Sequence, residues 1–212
     1  MNFITLSKRS RIIELIILFV IVPFLLITSL PIWFGVFFVV VSFIYVLFLL
    51  YRYTKFKITK PHKSILSHFW KVTLMRLIPI TIFGLIFVKI MAPDAFFRLI
   101  TEDISVWFFI ILIYSLGSVL PQEVIYRNFF FKRYRDLIHN KHIFFIMNAA
   151  LFSMSHVFLK SWLVLLVTFL GGLMFAYTYN KTKSTTLVSI EHSIYGLMLF
   201  TIGIGALLAF PS

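Results

Sequence analysis

The sequence predicts an all-α, polytopic integral membrane helix bundle of about seven to eight transmembrane helices. Three observations predict it. The 212-residue chain is 61% hydrophobic and 19% aromatic. Its mean hydropathy is +1.01. Only 13% of its residues are charged, about half the share of an ordinary soluble domain. A soluble protein of this size cannot hide so much apolar surface, so lipid must be the solvent for much of the chain. A free cytosolic enzyme, a disulfide-stapled module and a disordered tail are thereby excluded. The apolar runs are too long and continuous for the alternating pattern of a barrel. With no cysteine, thiol catalysis, Cys-ligated zinc and disulfides are excluded as well.

The elements are set by the apolar runs. Lys8, Arg9 and Arg11 precede a first span, Ile12 to Leu30, interrupted by Glu14 and Pro23. The basic start resembles a signal peptide, but the run is long enough to span and no small-residue cleavage site comes after it. Pro31 marks a tight turn into a second span, about Ile32 to Tyr51. Arg52, Lys55, Lys57, Lys60, Lys63, Lys71 and Arg76 form a basic segment that reaches into a third span, about Val72 to Met91. A loop with Asp94, Glu102 and Asp103 leads to a fourth apolar run, Ser105 to Leu120, punctuated by Pro121 and continued by an aromatic, charged stretch to Asn140. Further spans are expected at about Ile143 to Leu159 and Trp162 to Tyr179. The last run, Thr185 to Phe210, fits one tilted helix or a helix and a re-entrant piece, with Gly203 and Gly205 as the interruption. Residues 1–104 thus carry three N-terminal spans and 105–212 a core, within one membrane domain.

The formal net charge is +13. All but Lys89, Arg98 and Lys160 of the cations lie in clusters at 8–11, 52–76, 127–141 and 181–183. These alternate with cation-poor loops at 31, 93–104 and 160, which by the positive-inside rule puts the N-terminus in the cytosol. The charge therefore reports topology and contact with the lipid bilayer rather than nucleic acid. Gly171-Gly172 would permit close helix packing; the oligomeric state is open.

Function is expected where charge enters an apolar run, because an ionisable group at membrane depth is costly and needs a partner. Glu14 and Lys89 lie near span ends and are expected to snorkel. Glu123 and Arg127 are spaced i, i+4 and can face each other on a helix, as a structural ion pair or as part of a site. Pro121 suits the first turn of a new helix. His156 sits beside Ser153 and Ser155, and His192 comes directly after Glu191, which points about 100° away. By helix rise, Glu123 lies roughly 13 Å from Lys132 and His192 roughly 13 Å from Lys183, which puts them at one level; His156 lies roughly 21 Å from His142. A carboxylate and two histidines in a polar cavity can activate water or bind a divalent metal such as zinc, though no cofactor is certain.

Gln122-Glu123-x-x-x-Arg127, Phe152-x-x-x-His156 and His192-x-x-x-Gly196, in that order and each in an apolar run, resemble the three motifs of the CAAX protease and bacteriocin-processing family. That family includes type II CAAX prenyl endopeptidases and lysostaphin-resistance-A-like proteins. The resemblance covers about residues 105–210. It implies an intramembrane protease of the eight-helix class, in which the first glutamate and first histidine activate water. The second histidine and an asparagine four residues later hold the oxyanion, and the second glutamate and the arginine support the site. This chain departs twice. Gln122 occupies the first glutamate position and cannot act as a base. Gly196 occupies the asparagine position and offers no side-chain donor.

The expectation is an intramembrane endopeptidase acting on a peptide or membrane-protein substrate. Glu123 and His156 would activate water, His192 would stabilise the oxyanion or ligate a metal, and Arg127 would orient Glu123. Glu191 is a further candidate contributor, and Gln122 and Tyr126 would line the substrate cavity as donors. The alternative is a non-catalytic membrane scaffold that binds a partner in the same cavity. A small transporter with a proton path ranks last, since it leaves three ordered motifs to coincidence.

Overall fold

The computed structural model describes residues 7–54, 63–102 and 104–207. Lys55, Lys57 and Lys60 of the basic segment, Asp103 of the acidic loop and the end of the last apolar run lie outside the described residues. Among the described residues all regular structure is helical. Five helices are long and apolar enough to cross a membrane: Ile32–Tyr53, Lys63–Met91, Ile104–Tyr134, Trp162–Thr182 and Thr185–Ile202. A helical run over 8–25 and the shorter apolar helix Lys141–Met154 complete the all-α bundle. The protein is an integral membrane protein. Large apolar side chains stand exposed, Trp33 at 67%, Phe83 at 67%, Phe109 at 63% and Ile90 at 71%, which only a hydrocarbon solvent tolerates.

Local sequence explains the helix ends. Ser7 caps the first helix, its hydroxyl accepting from the Ser10 N–H at 3.1 Å. Asn140 caps Lys141–Met154 through the N–H groups of His142 and Ile143. Ser184 caps Thr185–Ile202 through the Leu187 N–H. That last helix stops at Gly203, whose φ of 103° suits glycine, and where a Cβ would run into the Ala95 carbonyl. This is one of the two interruptions the sequence suggests.

Two helices differ from expectation. The fourth does not break at Pro121; it runs unbroken from 104 to 134. Wide π turns over Ile113–Val119 and Val124–Phe129 bracket the short α segment Leu120–Glu123. A proline inside a helix lacks its N–H and crowds the carbonyl four residues back, here that of Gly117. A π turn just before it gives that carbonyl room. Pro23 is likewise preceded by a π turn, Ile17–Ile21. The fifth helix ends at Met154, five residues earlier than expected. At about 1.5 Å per residue its 14 residues reach roughly 21 Å, short of the roughly 30 Å hydrocarbon core.

The described residues fall into two compact units. The first comprises 7–54 and 124–177. Its core is aromatic: Phe19 meets Tyr126, Phe130 and Tyr134 edge-on at 5.2, 5.1 and 5.9 Å, and Phe144 packs on Phe130 and Phe131. Gly172 lets its helix approach the backbone of Ala149, which an added Cβ would meet at 3.0 Å. Glu14 does not snorkel. It is buried and accepts from Arg133 Nε and Nη2, both at 2.8 Å, from Tyr134 at 2.7 Å and from Tyr45 at 2.9 Å. The tight spacing of charge and hydroxyls offsets the cost of taking a carboxylate out of water. One turn away Arg11 grips Asp136 through two bonds of 2.7 and 2.8 Å and reaches the Arg133 carbonyl.

The second unit comprises 63–123 and 178–207. Here Lys63–Met91 packs along Thr185–Ile202, with Gly84 lying against Ile202. Trp107 donates to Thr201 at 2.9 Å. Arg76, expected to mark the cytosolic edge of a third span, instead sits near the middle of Lys63–Met91. Lys89 is exposed in that helix's last turn.

Candidate active site

Thr185–Ile202 carries His192 on its buried face, together with Glu191 and Tyr195. Leu120–Glu123, the α segment between the two π turns, carries Glu123, which is fully buried. The Nδ1 of His192 lies 2.8 Å from Glu123 Oε1. The equal depth reckoned from helix rise agrees with this contact. A carboxylate can only accept, so Nδ1 carries the proton, and in the neutral ring Nε2 bears the lone pair. A buried carboxylate that fixes an imidazole in this tautomer is the arrangement that hydrolases use to aim a base at water or a hydroxyl.

Tyr114 adjoins His192 in this unit. Its ring stands perpendicular to His192 at 6.1 Å and edge-on to Phe200 at 5.1 Å. It lies directly over Gly196, where a Cβ would overlap the Tyr114 hydroxyl and come within 2.5 Å of Cζ. Gly196 thus leaves a space that a neighbouring phenol fills. No motif names Tyr114; the missing side chain at 196 is the signal that something else must occupy that space.

Glu191 belongs to a separate cluster. It is fully buried and accepts from Arg76 Nη1 at 2.9 Å and Tyr195 at 3.0 Å. Arg76 also donates to Thr178 at 3.2 Å, and the Tyr195 hydroxyl lies 3.1 Å from the Thr73 carbonyl. The 100° offset from His192 accounts for the separation. Gln122 donates to Ser118 Oγ, one turn back, at 2.9 Å.

His156, Arg127 and Tyr126 lie in the other unit. His156 is half-buried and comes just after the C-cap of Lys141–Met154, so it sits in a turn rather than deep in a span. Its Nδ1 lies 2.9 Å from the Phe152 carbonyl and 3.2 Å from Ser155 Oγ. The carbonyl again assigns the proton to Nδ1 and the lone pair to Nε2. Arg127 is fully buried, its guanidinium 4.6 Å from the Phe152 ring centroid and 5.6 Å from that of Phe175, a cation–π seat in a desolvated place. Tyr126 is buried edge-on against Phe152 at 5.2 Å, and its carbonyl accepts from Asn148 at 2.9 Å.

Among the described residues no group of three or more His, Asp or Glu side chains is placed to hold a metal ion.

No curated protein and no solved structure matches the chain. Residues 104–198 match the sequence model described as Type II CAAX prenyl endopeptidase Rce1-like. This segment contains all three motifs, and through it the chain is similar to the Rce1-like type II CAAX prenyl endopeptidases.

Proposed function

We propose that this protein is an intramembrane endopeptidase that hydrolyses a peptide bond of a peptide or membrane-protein substrate near the cytosolic face, with its N-terminus in the cytosol. The observation that carries the reading is the buried 2.8 Å contact between Glu123 and His192 inside the family-matched segment. Glu123 holds the imidazole, and Nε2 of His192 takes the proton of the attacking water and returns it to the leaving amine. His156 is the second proton-handling group. Its part rests on its motif and on the anchored Nδ1, which presents Nε2. By their motif positions alone, Arg127 is assigned a supporting role and Gln122 and Tyr126 the lining of the substrate cavity. The substrate class suggested by the family is a prenylated CAAX peptide; a bacteriocin-type peptide is the competing class.

The test is turnover of internally quenched peptides, farnesylated and unfarnesylated, by protein reconstituted in liposomes. Glu123→Gln and His156→Ala are each expected to lower turnover by at least about a hundredfold. Unchanged cleavage by both variants rejects the mechanism.

Gln122 supports a second reading, since its side chain cannot serve as a base and is tied to Ser118. This reading is a membrane scaffold that binds a partner without hydrolysis. It predicts no cleavage by wild type, with partner capture that still depends on Glu123 and His192.

A further inference from the structure

We infer that Tyr114 is the oxyanion donor of this site, a reading that rests on the endopeptidase proposal. The phenol hydroxyl occupies the space of the absent side chain at Gly196. That position lies four residues after His192, on the same helix face. The hydroxyl is therefore presented one turn from the imidazole that receives the proton. The ring is held edge-on between His192 and Phe200, so the hydroxyl is fixed before substrate arrives. Tyr114 is half-buried, so its hydroxyl can meet a substrate group. A fixed donor beside an oriented base is what developing negative charge requires.

The step balances without further reagents. The water oxygen bonds to the carbonyl carbon, and its proton passes to His192 Nε2. The carbonyl π electrons move onto oxygen, where the Tyr114 O–H donates a hydrogen bond without transferring its proton. On collapse the C=O re-forms, the C–N bond breaks, and the amine leaves with the proton from Nε2. Glycine at 196 is then a requirement of the donor, because any side chain there would displace the phenol.

The experiment uses the full chain in liposomes with the quenched farnesylated CAAX peptide. Tyr114→Phe keeps the ring and removes the donor. It is expected to lower kcat by roughly a hundredfold to a thousandfold, with KM within about threefold and the melting temperature unchanged. Tyr114→Ala combined with Gly196→Asn places an amide donor in the emptied space. It is expected to exceed Tyr114→Ala in turnover by at least about tenfold. Wild-type activity that is lost in Glu123→Gln but kept in Tyr114→Phe overturns the role of Tyr114 alone. Absence of wild-type cleavage, or cleavage indifferent to Glu123→Gln, overturns the endopeptidase reading and this inference with it.

Discussion

Arg133 closes two parallel hydrogen bonds, each 2.8 Å, on the carboxylate of Glu14. Both side chains are buried, at 1% and 7% exposure. Removing one partner strands the other charge, at a cost of about 3–5 kcal/mol. Glu14→Ala is therefore expected to lower the apparent melting temperature in detergent by roughly 10 °C. The double replacement Glu14→Leu with Arg133→Met is expected to recover at least half of that loss. A double variant no better than the single one would show that the pair does not act as a unit. Thermal unfolding monitored by size-exclusion reads both.

The neighbouring contact, Arg11 to Asp136, is pH-dependent. Asp136 lies just beyond the membrane-spanning helix, and its two hydrogen bonds from Arg11 hold its carboxyl below the usual carboxylate range. A carboxyl lowered in the folded state adds stability above its unfolded pKa of about 4 and loses it as pH falls through the folded value. Because Asp136 is 44% exposed, solvent screening limits the effect to about 0.5–1 kcal/mol. Asp136→Asn should lower the melting temperature by roughly 2–3 °C at pH 7, with the difference shrinking toward pH 3. A difference that grows on acidification contradicts the assignment.

Glu191 and Glu123 are both fully buried, yet they are expected to separate cleanly in function. Glu191 is bound by Arg76 and Tyr195 rather than by His192. Glu191→Gln keeps acceptors for both and should leave turnover within about threefold, with a stability loss of about 1–2 kcal/mol. Arg76→Ala, which strands the carboxylate, should cost about 3–5 kcal/mol. Turnover that falls a hundredfold in Glu191→Gln without a change in melting temperature would place Glu191 in the chemistry.

At His156 the anchoring and the proton-handling nitrogens can be split. Asparagine reproduces a donor near Nδ1, so His156→Asn should keep the bond to the Phe152 carbonyl and a melting temperature within about 2 °C. It lacks Nε2 and is expected to lose at least about a hundredfold in turnover. Equal activity in the asparagine variant and wild type would leave His156 a packing residue.

Much of the fold is legible in the sequence because lipid imposes a length and a hydropathy that can be counted. The helices over 32–53, 162–182 and 185–202 lie where their apolar runs place them. The shared depth of Glu123 and His192 is legible from rise alone, since two helix segments leaving one surface keep depth in register. The rest depends on partners distant in sequence or on bent geometry. Glu14 reads as a snorkelling charge because Tyr45, Arg133 and Tyr134, which bury it, come from two other helices. Arg76 reads as a surface cation because nothing local points to Glu191. His156 reads as mid-span because the apolar run continues past the point where the helix stops. Tyr114 is one more aromatic in an aromatic chain until the space over Gly196 singles it out.

The two π turns around Leu120–Glu123 give the fourth helix a property beyond easing Pro121. Each π turn holds more residues than the α turn it replaces, so the helix acts as a vernier whose setting is its residue count. Deleting a single residue from 113–119 would let that stretch relax to α pitch, where six residues turn nearly as far as seven at the wider pitch, so Glu123 would stay close to His192. Deleting one from the α stretch 104–112 would instead rotate Glu123 by about 100° and swing it off His192 with its identity intact. The wide turns are thus where this helix can lose a residue and keep its aim.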